Sequence, residues 1–280
     1  MTELTPGIYE NIPHDVYRGW HAMNYSRLKT LDKSVDEFVY EMQFERKASD
    51  AMILGSAVDT LVHEPHLFDD AFAVMPDVNL RTKDGKAARD AFVEAAGGRT
   101  VIDSGAHQTA MLIANAVKEH SVSASFLANG KPQVCVVWHD AETRILCKAR
   151  LDWLMPNRIS DLKVVGRGVD ADDFARSMID FGYHIQAALY SDGLAAVTGK
   201  HLPFTFVVAS SSPPHRVKVY EVEPETLAAG RYCYRRALHT YQACKNSGRW
   251  RDTECLETIQ LPTWKLRDYG IELPMEQISF

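Results

Sequence analysis

The chain has 280 residues, of which 46% are hydrophobic and 24% charged, with a formal net charge of -6 and a pI near 6.0. This composition excludes the disordered and collagen-like classes and fits one domain large enough to bury a sizeable core without staples. The acidic balance argues against a protein that coats nucleic acid with a globally basic surface, but it leaves room for carboxylates on a metal and for a local basic groove.

Taken in chain order, the first seventy residues read as loop, then helix. Asn24-Tyr25-Ser26 precedes RLKTLDKSVDEFVYEM, with Ser26 as the expected N-cap. Met52, Leu54, Val58, Leu61 and Val62 recur at helical spacing up to Pro65. The segment 75–92 reads as a polar, Gly-containing loop running into an Ala-rich helix, and 105–120 as a further helix. The pattern then changes. PQVCVVWHD and RILCKARLDWLM are apolar and β-branched around the turn DAET, which predicts a hairpin, and RISDLKVV predicts a third strand. A polar loop and helix fill 170–199. PFTFVVASSS predicts a buried strand and RVKVYEVEP a half-solvated one. The segment 225–248 is a long amphipathic helix, followed by an irregular tail. The expected architecture is a single α/β domain over 1–280, with a mostly helical part to about 120, a catalytic core over about 130–245 and a C-terminal tail.

The five cysteines are scattered, odd in number and never in a CxxC pair. No disulfide framework, zinc knuckle or iron–sulfur cluster is expected, and a reducing cytoplasm is. The first residues carry no basic stretch followed by an apolar one, and no apolar run is long enough to span a bilayer, so neither a signal peptide nor a membrane span is expected.

The chemistry-bearing segment runs from Cys147 to Tyr190. Asp152 closes the second hairpin strand. Asp161 and Lys163 lie two apart on the next strand, so their side chains share a face. Two neighbouring strands can thus bring two carboxylates and an ammonium together, the set that metal-assisted phosphodiester hydrolysis requires. Alone, a D-x-K triplet is usually a solvated strand face. Gln186 and Tyr190, four apart and hence on one helix face, add weight to the functional reading.

The order Asp, D-x-K, Q-x-x-x-Y resembles the RecB-like branch of the PD-(D/E)XK nucleases. More broadly, GIYENIPHDVY, YSRLKTLDKS, LGSAVDTLVHEP, the RTKDGK loop, W-x-D-x-E-T-x-I-L-C-K-A-R-L-D, SDLKVV, YHIQAALYSDG, FVVASSS and LPTW resemble the RecE-type phage exonucleases (exonuclease VIII) from about residue 7 to 265. The resemblance implies a restriction-endonuclease-like core: a central mixed sheet flanked by helices, with a helical N-terminal elaboration. It implies Asp152, Asp161 and the Leu162 carbonyl as metal ligands and Lys163 as the catalytic lysine beside the attacking water. Gln186 and Tyr190 would support that lysine and contact the scissile end. It also implies a Mg²⁺-dependent exonuclease, with Mn²⁺ as substitute, that degrades linear double-stranded DNA from 5′ ends and leaves 3′ single strands. The implied setting is recombination in a bacterial host cytoplasm, from a phage or prophage, as a ring-shaped homo-oligomer beside a RecT-like single-strand annealing protein.

Three positions depart from that pattern. Asp59 stands in GSAVD where the family has a histidine in G-x-x-x-H; an aspartate can serve Mg²⁺ equally. His63, one turn later, is a reserve ligand, though a helix-end packing role is expected of it. Gln133 replaces a glutamate of the first hairpin strand, and Leu151 a proline. Asp59 and Gln133 motivate an alternative: a weakened homologue that binds DNA or a partner. An endonuclease on the same core is another. Arg81, Lys83, Lys86 and Arg89 are candidate phosphate contacts. Lys148 and Arg150 alternate along the strand toward Asp152 and are expected to meet the DNA backbone. Arg27 and Lys29 are weaker candidates, and the five tryptophans are expected mostly to pack.

Overall fold

The structure is a computed structural model, and it describes residues 4–44, 47–252, 256 and 258–272. The chain divides into two units, 1–250 and 251–280. In the first, helix α1 (His14–Gly19) follows strand β1 (Gly7–Tyr9), and α2 (Tyr25–Lys33) and α3 (Val35–Gln43) come next. Asn24, rather than Ser26, caps α2: its side chain accepts the Arg27 N–H. The expected single helix over 27–42 is broken at Ser34, which caps α3 through the Glu37 N–H. Such short polar side chains favour caps because they take up the orphan N–H groups of a first turn.

Helix α4 (Asp50–His63), α5 (Phe68–Ala71) and α6 (Lys83–Ala95) come next, with β2 (Phe72–Met75) before α6 and β3 (Thr100–Asp103) after it. β2 and β3 pair in parallel as a separate two-stranded sheet, which the sequence reading missed. Asp103 then caps α7 (Ser104–Glu119), and α8 (Ser121–Leu127) leads into the main sheet.

The hairpin and third strand form as expected: β4 (Lys131–His139), β5 (Leu146–Met155) and β6 (Arg158–Val165). The segment 170–199 folds as two helices, α9 (Ala171–Phe181) and α10 (Tyr183–Thr198). They are separated at Gly182, whose φ of 71° places it in the left-handed region that only glycine enters freely. β7 (Phe204–Ser210), β8 (Val217–Glu221) and α11 (Pro224–Ser247) complete this unit. In the second unit, the described residues hold one short helix, α12 (Thr263–Asp268).

The main sheet has the order β1-β4-β5-β6-β7-β8. Only β6 and β7 pair in parallel; the other neighbours are antiparallel, so the sheet is mixed. Helices cover both faces. On one, α10 and α11 join Leu151, Ile159, Phe206 and Val208 in a core that also takes in α2 and α3. On the other, α4 and α7 pack on Leu162, Val207 and Ala209. α10 is buried on nearly all sides, which fits a helix with almost no polar face. It approaches its neighbours closely at Gly193, where a Cβ would lie 2.5 Å from the Trp138 ring; Gly230 of α11 meets it likewise, since a Cβ there would lie 2.1 Å from the His184 carbonyl. Among the described residues, no helix is long and apolar enough to cross a membrane.

Candidate active site

The ladders that hold β5 to its neighbours both lapse at Asp152. On the β4 side, Pro132–Trp153 and Val134–Leu151 are paired, while Gln133 and Asp152 between them are not. Gln133 has a φ of 50°, which tears the strand's regularity there. On the β6 side, pairing runs from Met155–Arg158 to Trp153–Ser160 and stops before Asp152 and Asp161. The strands part, and the Asp152 side chain bridges the gap: its Oδ2 accepts the Leu162 N–H at 3.1 Å. In an extended strand the N–H and C=O of one residue point to the same edge. The Leu162 carbonyl therefore faces the same opening. β6 itself stays anchored on its other edge by the parallel ladder to β7.

Into this opening the fold brings the predicted set. Asp161 is fully buried, and its Oδ2 accepts the Gln186 amide at 2.7 Å. Its Oδ1 accepts the Lys163 ammonium. Lys163 lies over the Tyr183 ring at 5.0 Å and the Phe206 ring at 5.8 Å. Burial first, then the charges of Asp161 and Asp59, push the Asp152 carboxyl well above the usual carboxylate range. Burial likewise raises Asp161, against the pull of Lys163. Burial alone would lower Lys163, but Asp161 and Asp152 outweigh it and hold the ammonium above an ordinary lysine. The carboxylates of Asp59, Asp152 and Asp161 thus interact electrostatically with one another, with Lys163 and with His63.

Asp59 reaches the same space from α4. Its Oδ1 hydrogen-bonds His63 Nδ1 at 2.8 Å, and its Oδ2 accepts the Gln133 amide at 2.8 Å. His63 is buried and stacks on Trp153 at 5.3 Å. Burial lowers its pKa, yet the Asp59 charge and hydrogen bond more than reverse this. The expected helix-end histidine is therefore also a partner of Asp59. Gln133 is fixed in turn: its Oε1 accepts Arg150 Nε at 2.7 Å. Tyr190 is buried; burial first, then Tyr17, Asp161 and Asp152, raise its hydroxyl pKa.

The sequence reading did not single out Tyr25 or Tyr183. The Tyr25 hydroxyl donates to the Phe181 carbonyl, and Tyr183 flanks Lys163. A signal existed for Tyr183, which lies three before Gln186 and seven before Tyr190 and so shares their helix face.

The basic candidates divide. Arg81, Lys83, Lys86 and Arg89 are exposed on α6 and the turn before it, with Arg89 paired to its neighbour Asp90 at 2.6 Å. Lys148 is a correction. It is 2% exposed, and its Nζ donates to the carbonyls of Tyr17 at 2.6 Å and Trp20 at 2.9 Å. It also lies 4.5 Å from the Tyr17 ring centre. The strand alternation is as read, but the N-terminal segment covers that face, so Lys148 cannot meet DNA. Burial pushes its ammonium down to about 8, while the carbonyls favour the charged form. Arg150 is partly buried, and its Nη1 turns inward to the Ile12 carbonyl at 2.9 Å. Lys148→Met is expected to cost about 3 kcal/mol of stability, because buried carbonyls lose their donor. Urea denaturation measures this; a drop in duplex affinity at unchanged stability would return Lys148 to the DNA surface.

Among the described residues, no three His, Cys, Asp or Glu side chains are drawn together as a ready metal cage. Each carboxylate is held instead by a donor of the protein. The available donors are nonetheless the hard oxygens of Asp59, Asp152, Asp161 and the Leu162 carbonyl, the ligand type that hard divalent cations take.

A family model and one solved structure agree with this architecture. The family model described as a PDDEXK-like domain of unknown function (DUF3799) matches residues 24–261. A solved structure of a candidate exonuclease from Eubacterium rectale is 18% identical, with a TM-score of 0.60, covering 92% of this chain and 98% of that one. A second, of SSO0001, is 15% identical, covers 76% of this chain and 84% of that one, and has a TM-score of 0.31. No curated protein matches the chain.

Proposed function

The chain belongs to the family of PDDEXK-like domains of unknown function (DUF3799), and from that premise we propose that it is a Mg²⁺-dependent nuclease acting on ends of linear double-stranded DNA. The observation that carries this reading is the meeting of Asp152, Asp161 and Lys163 where β5 and β6 part. The exonuclease mode rests on the sequence resemblance and on the fold shared with the E. rectale protein. The same resemblance supports 5′-to-3′ degradation, Mn²⁺ as a substitute ion and a 3′ single strand handed to an annealing partner.

In this reading Asp152, Asp161 and the Leu162 carbonyl would hold the ion, with Asp59 as a further oxygen donor. The bound ion would supply Lewis acidity toward the phosphate and its attacking water. Gln186 keeps Asp161 turned toward the opening. Lys163 leaves Asp161 as the substrate enters, orients the water and offsets charge that builds on the phosphate oxygens. Water attacks phosphorus, one backbone P–O bond breaks with its electron pair passing to the leaving oxygen, and the proton that water loses ends on that oxygen as a hydroxyl. The exposed Arg81, Lys83, Lys86 and Arg89 would grip the duplex through its phosphates.

The test is degradation of linear and covalently closed duplex with Mg²⁺ or EDTA, by the wild-type protein and by Asp161→Ala. Loss of the linear substrate alone, requiring both Mg²⁺ and Asp161, is expected. Cleavage of closed circles would make the protein an endonuclease. Binding without degradation would favour the weakened homologue that Asp59 and Gln133 motivate.

A further inference from the structure

We propose that Arg150 and Gln133 form a positioning relay that sets Asp59 for the metal; the proposal rests on the metal-dependent reading above. Its parts are joined end to end. The Ile12 carbonyl accepts Arg150 Nη1 at 2.9 Å, and Arg150 Nε donates to Gln133 Oε1 at 2.7 Å. Gln133 Nε2 then donates to Asp59 Oδ2 at 2.8 Å. The amide orientation follows from chemistry, since a guanidinium can only donate. Arg150 therefore takes the amide oxygen and leaves the NH₂ for Asp59. A free glutamine could present either end. This one is committed, and a carboxylate at 133 could not donate at all.

The backbone reinforces the commitment. Gln133 sits at φ 50° near the start of β4, a conformation that costs a non-glycine residue roughly 1–3 kcal/mol and persists only where its surroundings fix it. The strain falls at the position facing Asp152, where the ladder lapses. His63 holds the other oxygen of Asp59. Asp59 is thereby held on both sides, close enough to Asp152 and Asp161 to interact electrostatically with both. Outer partners of this kind commonly change metal affinity by about 10–100-fold when removed.

The relay predicts that its members act only through Asp59. The experiment is Mg²⁺ binding by isothermal titration, with the Mg²⁺-induced rise in melting temperature as second readout. The proteins are wild type, Gln133→Asn, Arg150→Met, Asp59→Ala and the double variant Gln133→Asn/Asp59→Ala. Asparagine tolerates the left-handed backbone well but is one methylene shorter, so it keeps the fold while losing the span between Arg150 and Asp59. Gln133→Asn and Arg150→Met are expected to weaken Mg²⁺ about tenfold, and Asp59→Ala at least as much. The double variant should bind no more weakly than Asp59→Ala. A merely structural role would lower the metal-free melting temperature and leave the Mg²⁺ increment unchanged. Wild-type affinity in Gln133→Asn, or equal losses with and without Asp59, overturns the relay while the metal reading stands. Absence of Mg²⁺ binding by the wild-type protein overturns both.

Discussion

Lys163→Ala is expected to slow hydrolysis about a thousandfold while Mg²⁺ binding is retained or tightened. The ammonium is bonded to Asp161, so in the metal-free protein it occupies an oxygen that a ligated cation would need. Removing it takes away a competitor for Asp161, not a ligand. What is lost is the positive charge that the proposed mechanism sets beside the phosphate, and preorganised charge of this kind is worth about 3–4 kcal/mol of transition-state stabilisation. Single-turnover hydrolysis and Mg²⁺ titration on the same preparation separate the two effects. A near-normal rate would remove Lys163 from the chemistry, and a parallel loss of Mg²⁺ affinity would make it a structural prop for Asp161.

Asp152→Asn carries the second large effect, and here activity and stability move in opposite directions. The asparagine carbonyl can still accept the Leu162 N–H, so the bridge between β5 and β6 survives. The charge does not. Hydrolysis should fall by about three orders of magnitude, roughly 4 kcal/mol, as a metal ligand is weakened. The metal-free protein should gain about 1 kcal/mol, or some 2–4 °C in melting temperature, because a neutral amide escapes the desolvation that burial imposes on the Asp152 carboxylate and relieves its repulsion with Asp161 and Asp59. Activity assays and thermal melts without metal measure both. A destabilised variant would mean that neither burial nor its carboxylate neighbours disfavour the charged Asp152 in the folded protein.

The parts of this site that the sequence revealed are those governed by local periodicity. Asp161 and Lys163 share a face because strands repeat every two residues, and Gln186 and Tyr190 because helices nearly repeat every four. Asp152 follows from the hairpin. The parts that stayed hidden depend on distant partners. β1 is three residues long and becomes a strand only against Val137, Val136 and Cys135. β2 and β3 are four residues each, and their parallel pairing is joined across α6. Lys148 shows the limit most clearly: alternation gives the face of a side chain, but not what covers that face. The covering segment lies more than a hundred residues earlier. Gln133 reads as a lost charge in the sequence; only its bonds to Arg150 and Asp59 show it as a committed donor.

The anchoring of the opening residues has a practical consequence. β1 is stitched to β4, Met23 exchanges backbone bonds with Leu146 and Lys148, and the Ile12 carbonyl steadies Arg150. Anyone trimming this chain to a minimal nuclease by discarding its first two dozen residues would be cutting the guy-rope of a tent pole. The catalytic motif would remain letter for letter, while Arg150 would lose its anchor at Ile12 and Lys148 the carbonyls it donates to.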